Sequence, residues 1–420
     1  MSKRFNTTGT CISDKHYMMD TTNKLNKIIK MIEYGDYFII NRPRQFGKTT
    51  TLSLLSEKLY NDYIVISISF EGVGDEAFTN EEKFCSMFIN QVIRSFRFIN
   101  VDEYNKLKGI KKDLYKLEDL SDFITEYIED SNREVILIID EVDKASNNQL
   151  FLSFLGMLRT KYLQAAEKKD LTFKSVILAG VHDIKNLKLK LRNDDERKYN
   201  SPWNIAVNFN VEMNFNTKEI ESMLIEYSRV NGLQMDIEQL AEWLYYYTSG
   251  YPFLVSRICQ IIDEDILNEK CSWDSNLLEK ALKNLLRESN TLFDDLFKNM
   301  ENNIELNELI FDIVFNGEIR QFNTDNPLIQ LANIYGIIKD SNGISKVSNR
   351  TFEQRIYNYF SSKIETKTKN LSDYNFKENF ILKNDGLNIE RVLLKFQQFM
   401  KEQFSNKDTE FLEQNGRTLF

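Results

Sequence analysis

Proline, histidine and cysteine are all scarce in this chain of 420 residues. It has four prolines, where an average chain of this length carries roughly 21. Pro43, Pro202, Pro252 and Pro327 each fall in a segment taken up below. Two histidines and four widely spaced cysteines (Cys11, Cys85, Cys259, Cys271), with no C-x-x-C pair, argue against a zinc site. Cysteines used this way suit the reducing cytosol, and a cytoplasmic location is expected. No run of about 18 apolar residues is present, so no membrane-spanning helix is expected. The N-terminal Met1-Ser2-Lys3-Arg4-Phe5-Asn6 has no apolar run behind its charges and does not read as a secretory signal. The net charge of −9 gives no global attraction to nucleic acid or anionic lipid. With 42% hydrophobic and 28% charged residues, a sizeable core is feasible, and the length suggests two or three domains. Asn, Ile and Lys are abundant, which reads as genome composition.

In the first half, apolar runs of strand length alternate with amphipathic stretches. The runs are Tyr37–Ile40, Tyr63–Phe70, Val135–Ile139, Ser175–Ala179 and, as a fifth candidate, Ile205–Val211. Continuous apolar runs are what strands covered on both faces look like. Helical patterns lie between them at 23–32, 49–60, 81–98, 117–129 and 148–166. This alternation predicts a parallel, doubly wound α/β sheet. From Thr217 to about Met300 the pattern is helical. From Ile304 to about Lys363 the order is helix, short strand (Ile319–Phe322), helix (Pro327–Tyr335), a strand pair around Asn342-Gly343, and helix. That order is compatible with a winged helix; Asn-Gly is a strong hairpin signal and Pro327 suits a first helical turn. The expected domains are a core over 1–215, a helical lid over 216–302, a winged helix over 303–365, and a linker with helical tail over 366–420.

Two motifs carry chemistry. Arg42-Pro43-Arg44-Gln45-Phe46-Gly47-Lys48-Thr49-Thr50 follows a strand and opens a helix. It fits the phosphate loop G-x-x-x-x-G-K-[ST] except that Arg42 stands at the first Gly. Gly-Lys-Thr/Ser alone arises by chance in about one chain in five at average frequencies, and an ordinary βα turn can carry it. The strand before and the helix after argue for phosphate binding by backbone N–H groups, with Lys48 on the β/γ-phosphates and Thr49 on Mg²⁺. The second motif is Val135–Ile139 ending in Asp140-Glu141. Its carboxylates emerge at the C-terminal edge of the sheet, where open α/β sheets bind ligands. Asp140 is the candidate Mg²⁺ holder and Glu141 the candidate general base. The strand Tyr63–Phe70 between the motifs, with the adjacent Glu, points to the additional-strand class of P-loop ATPases. Asp143 and Lys144 read as decorating the next helix.

Three weaker features follow. The strand end Ala179-Gly180-Val181-His182-Asp183 offers His182 or Asp183 as a sensor of the γ-phosphate, or a structural turn. The basic stretch Lys185–Lys198 reads first as a solvated charged face, with an arginine finger as the sharper alternative; Arg44 could serve in cis. Ser249-Gly250-Tyr251-Pro252 reads as a tight turn into a helix, with Pro252 a candidate near the adenine. The helix Pro327–Tyr335 has no Lys or Arg, which weakens a DNA-reading role.

Taken together these segments resemble bacterial AAA-like ATPases of the AAA-ATPase-like domain family. The resemblance rests on Phe5–Gly9 through His16-Tyr17-Met18, Asn41–Leu52, Ile139–Asp143, Val176–Val181, Ser201–Asn204 and Thr248–Ser256, and runs along essentially the whole chain. It implies ATP and Mg²⁺ as ligands, an Arg at the first phosphate-loop position, and a nucleotide-driven switch coupled to an effector, with defence against mobile DNA as one setting. The place ahead of the phosphate loop, Cys11–Met19, resembles where such proteins hold the adenine. Members often continue into a nuclease domain; Phe411–Arg417 resembles its entrance, and the domain itself is expected to be missing here. An unknown protein partner or a nuclease is the expected effector. The rival readings are a nucleotide-binding module without turnover, a DNA-binding regulator acting through the winged helix, and a small-molecule kinase.

Overall fold

The computed structural model describes residues 3–110, 114–145, 148–181, 203–267 and 271–366, with a few residues between 387 and 396. His182, Asp183, the basic stretch 185–198, Ser201-Pro202, the linker 373–386 and residues 411–417 lie outside the described residues. The chain forms two compact units. The first comprises Thr8–His16 and Asp20–Met213; the second comprises Ser2–Thr7, Tyr17–Met19 and Asn214–Phe420.

The first unit holds helices α1 (Thr22–Glu33), α2 (Lys48–Leu59), α3 (Glu81–Phe96), α4 (Val101–Ile110), α5 (Leu117–Glu129) and α6 (Gln149–Ala166). Its strands are β1 (Phe38–Asn41), β2 (Ile64–Ser69), β3 (Val135–Asp140) and β4 (Ser175–Gly180). They form a parallel sheet in the order β1-β4-β3-β2. Every residue of β3 and β4 is buried, as their continuous apolar composition requires of strands covered on both faces. In β2, Ile64, Ile66 and Ile68 are the buried set.

The strand that separates β1 from β3 in space is β4, which follows both in sequence. That insertion places the strand ending in Asp140 two positions away from the strand entering the phosphate loop, with β4 between them. The fifth candidate strand is reduced to one parallel bridge, Val207 to Phe38, with the Val207 N–H donating to Tyr37 O. Beyond it Asn208 and Asn210 are exposed, while Phe209 and Val211 are buried. The abundant asparagine has a structural use. Asn80, Asn148, Asn216, Asn290, Asn303 and Asn326 each cap a helix N-terminus through the side-chain oxygen.

The second unit runs α7 (Thr217–Asn231), α8 (Ile237–Thr248), α9 (Pro252–Gln260), a π-helical turn (Ile261–Ile266), α10 (Ser275–Arg287), α11 (Thr291–Glu301), α12 (Ile304–Val314), α13 (Pro327–Ile334), β5 (Ile338–Ser341), β6 (Ile344–Val347) and α14 (Arg350–Thr366). The N-terminal residues belong to it: Phe5 and Tyr17 pack with Tyr227 and Trp273 as one aromatic cluster. Asn342 and Gly343 both have positive φ and close the β5–β6 hairpin. The short strand expected at Ile319–Phe322 is a single bridge, Gln321 to Ile344. At the Gly250 turn, φ is +71° and an added Cβ would fall 1.8 Å from Phe215 O, so this turn requires glycine for close packing.

Candidate functional site

The site stands at the C-terminal edge of the first unit's sheet. β1 ends at Asn41, the loop Arg42–Gly47 follows, and α2 begins at Lys48. Gln45 (φ 55°) and Gly47 (φ 76°) supply the left-handed residues that turn the loop. A non-glycine residue at positive φ is uncommon and costs about 1 kcal/mol or more, a strain that concentrates at ligand-holding turns. α2 has no capping side chain and no acidic residue in its first turn. Its N-terminal N–H groups and dipole therefore suit an anion. Thr51 Oγ1 donates to Gly47 O at 2.9 Å, and Thr50 Oγ1 accepts from the Cys11 N–H at 3.1 Å. Phe46 and Pro43 are buried under the loop, and Arg44 is exposed.

Lys48 is buried, and its ammonium donates to Arg42 O at 2.9 Å and Pro43 O at 3.0 Å. Burial holds its pKa below the ordinary lysine value, against the pull of Glu141, Asp143 and Asp140, with Arg44 adding to the fall. Thr49 Oγ1 donates to Asp140 Oδ2 at 2.8 Å, and the other oxygen of Asp140 accepts the Glu141 N–H at 2.9 Å. The two sequence motifs thus meet through Thr49 and Asp140. These hard oxygen donors are of the kind that suits Mg²⁺ alongside phosphate oxygens and water. Among the described residues no group of three or more His, Cys, Asp or Glu is placed to hold a metal ion.

Glu141 takes a left-handed conformation at φ 55°, ψ 39° and is half-buried. Burial raises its pKa, the Asp140 charge raises it further, Lys48 opposes this, and Asp143 and Glu71 add smaller upward pushes. A carboxylate shifted toward neutrality at a sheet edge is suited to taking up a proton.

Two features beside these were not legible in the motifs. Asp143 sits in the short turn Val142–Lys144, and its carboxylate accepts the Val181 N–H instead of decorating the next helix. Gly180 makes room for it: an added Cβ would lie 2.9 Å from both carboxylate oxygens. Asp143 thereby ties the end of β3 to the end of β4. Glu71 stands two residues past the end of β2, whose register sets Ser69 beside Asp140. The Phe70 N–H donates to Asp140 O, which brings Glu71 to the same edge as Glu141. Its position after an apolar run was the signal available in sequence.

Arg42 is half-buried, and its guanidinium donates to Asn41 O at 2.9 Å, Val211 O at 3.1 Å and Phe209 O at 3.5 Å. Burial lowers its pKa and Glu212 opposes the fall. Pro252 is buried at the first turn of α9 in the second unit, and His182 lies outside the described residues.

Comparison with known proteins agrees with this fold. The Walker-type ATPase of Pyrococcus abyssi superposes with a TM-score of 0.54 at 13% identity, covering 84% of this chain and 99% of that one. The Thermotoga maritima RuvB Holliday junction branch migration motor (TM-score 0.41, 13% identity, 82% and 95% covered) and the Aeropyrum pernix ORC2 protein (0.42, 12%, 82% and 93%) match less well. An uncharacterised WD repeat-containing protein of Synechocystis is 21% identical over 267 residues, 62% of this chain. The chain spans about a fifth of that relative's length, 21% of it. The superposition on the Pyrococcus abyssi protein shows a shared fold, with a parallel-sheet P-loop ATPase core. Residues 10–361 match the family model described as an AAA-like domain, and the chain belongs to that family.

Proposed function

We propose that this chain binds ATP with Mg²⁺ and hydrolyses it, acting as a nucleotide-driven switch for an effector. The observation that carries the reading is the convergence of Lys48, Thr49, Asp140 and Glu141 at one sheet edge, above a helix N-terminus without a cap of its own. The N–H groups from Gly47 to Thr49 hold the phosphates, and Lys48 leaves the carbonyls of Arg42 and Pro43 for the β/γ-phosphates. Thr49 and Asp140 hold Mg²⁺, which when bound balances the charge that develops on the phosphate oxygens. Glu141 takes the proton of the attacking water. Arg42 and Arg44, Gln45, Phe46 and Thr50 shape the loop, with Arg44 a finger in cis. Pro252 near the adenine and His182 as sensor are parts of the same proposal.

In this reading residues 216–302 serve as a lid, 303–365 as a winged helix and 366–420 as a linker and tail toward the effector. α13 carries no Lys or Arg, which favours a protein partner over direct DNA reading. No described helix is long and apolar enough to cross a membrane. A cytoplasmic setting is part of the same proposal.

The test is phosphate release from Mg-ATP by the whole chain, with nucleotide binding measured alongside. Lys48→Ala is expected to weaken ATP binding roughly a hundredfold, from the loss of charged hydrogen bonds of about 3 kcal/mol. Glu141→Gln is expected to keep binding and lose turnover by about a hundredfold or more. Wild-type turnover in Glu141→Gln would remove Glu141 from its role, and bound nucleotide without phosphate release by the unaltered chain would refute hydrolysis.

A further inference from the structure

Arg42 stands where phosphate loops of this pattern carry glycine, yet it is not among the loop's left-handed residues, which are Gln45 and Gly47. The backbone there does not need glycine's freedom, so the side chain calls for its own explanation. Three groups of Arg42 point to three places. Its N–H donates to Gly180 O at the end of β4, at 3.1 Å. Its carbonyl accepts the Lys48 ammonium. One guanidinium nitrogen, Nη2, forks onto Val211 O at 3.1 Å and Phe209 O at 3.5 Å, and the guanidinium lies over the Phe209 ring, which itself stacks on Phe38 of β1. Those two carbonyls belong to the segment that fails to continue as a fifth strand. Arg42 satisfies by side chain what a neighbouring strand would satisfy by backbone. That segment ends the first unit at Met213, and the chain enters the second unit at Asn214.

We propose that Arg42 is a positioning residue that couples occupancy of the phosphate loop to residues 207–213, the stretch of chain leading out of the first unit. The inference rests on the nucleotide-binding reading above. When phosphate claims Lys48, the Arg42 carbonyl loses its partner and its peptide readjusts. The planar fork on Phe209 and Val211 carries that readjustment into the exit segment. Lysine keeps the charge but lacks the planar group that lies over the Phe209 ring and the second nitrogen that holds Asn41 O while the first serves the segment. Linkage makes the coupling reciprocal, so whatever affinity the segment lends to the nucleotide is lost with the fork.

The experiment is amide hydrogen exchange on the full chain, with and without Mg²⁺ and the β,γ-imido analogue of ATP. It follows a phosphate-loop peptide (42–51) and an exit peptide (203–213). The latter contains the Ala206 and Val207 amides bonded to Trp203 O and Tyr37 O. In the unaltered chain the nucleotide is expected to slow both peptides. In Arg42→Lys the loop peptide is expected to respond and the exit peptide not, with the analogue's Kd raised roughly five- to tenfold. Arg42→Gly, the residue of the general motif, serves as a second variant with the same expected separation, its fold checked by Trp203 emission. An exit peptide that responds equally in the variants, or in no chain at all, overturns the proposal. So does loss of the loop response in well-folded variants, which would put the guanidinium on phosphate. A loop peptide indifferent to nucleotide in the unaltered chain instead marks failure of the nucleotide reading itself.

Discussion

Gly180→Ala probes the joint between the ends of β3 and β4. The φ of Gly180 is not left-handed, so alanine fits the backbone and the substitution isolates a steric effect. The added Cβ falls 2.9 Å from both carboxylate oxygens of Asp143, closer than real side-chain contacts allow. The carboxylate must move and gives up the Val181 N–H. A hydrogen bond to a charged acceptor contributes about 1.5–3 kcal/mol. Replacing glycine by alanine returns about 0.5–1 kcal/mol through reduced chain entropy. The net cost is therefore about 1–2 kcal/mol. In an Asp143→Ala background the obstacle is gone, and the same substitution should stabilise by about 0.5–1 kcal/mol. The coupling between the two positions is then about 2 kcal/mol, well above the scatter of independent sites. The assay is urea unfolding of the first unit followed by Trp203, its one tryptophan, in a Trp243→Phe, Trp273→Phe background. An equal cost of Gly180→Ala with and without Asp143 would refute the reasoning.

Two further outcomes follow from the charges. Glu141 must be ionised to act as a base, so turnover is expected to fall as pH drops through its raised pKa. That acid limb should lie above the ordinary glutamate value of about 4.3. Glu71→Gln removes one of the carboxylates that raise it and should shift the limb of kcat to lower pH; an unmoved limb would separate Glu71 from the site. Lys161 is 1% exposed and donates to Ser121 O, Thr125 Oγ1 and Asp170 Oδ2. Lys161→Met removes the ammonium partner of Asp170, which keeps Thr125 Oγ1 and the Leu171 N–H, and should cost the first unit about 2 kcal/mol by Trp203-monitored urea unfolding. Burial pushes the Asp170 pKa up, but hydrogen bonds from Lys161, Thr125 and the Leu171 N–H outweigh it and leave the value lowered. Its contribution is complete above the unfolded value and is lost as pH falls through the lowered folded one. Lys161→Met should shrink that acid dependence to the part owed to Thr125 and the Leu171 N–H, and an undiminished dependence would place it elsewhere.

Local pattern was enough for β1 to β6 and for most helices. The runs at 135–140 and 175–180 are apolar throughout because both faces are covered, and the Asn342-Gly343 turn needs two positive φ values. One helix escapes the sequence reading. α4 buries only Leu107 and has little apolar face to detect. α11, inside the stretch read as helical, buries Leu292, Phe293, Leu296 and Met300 at helical spacing.

From the sequence by itself come the phosphate loop, the acidic strand end and the alternation of strands and helices, because each depends on neighbours in the chain. Only the tertiary structure decides that β4 lies between β1 and β3 and that the fifth strand shrinks to a bridge. It likewise decides that Asp143 reaches Val181 and that Arg42 serves Phe209 and Val211. These are pairings across 38 and more residues, set by packing and by the demand that buried polar groups find partners, and no local residue pattern encodes them.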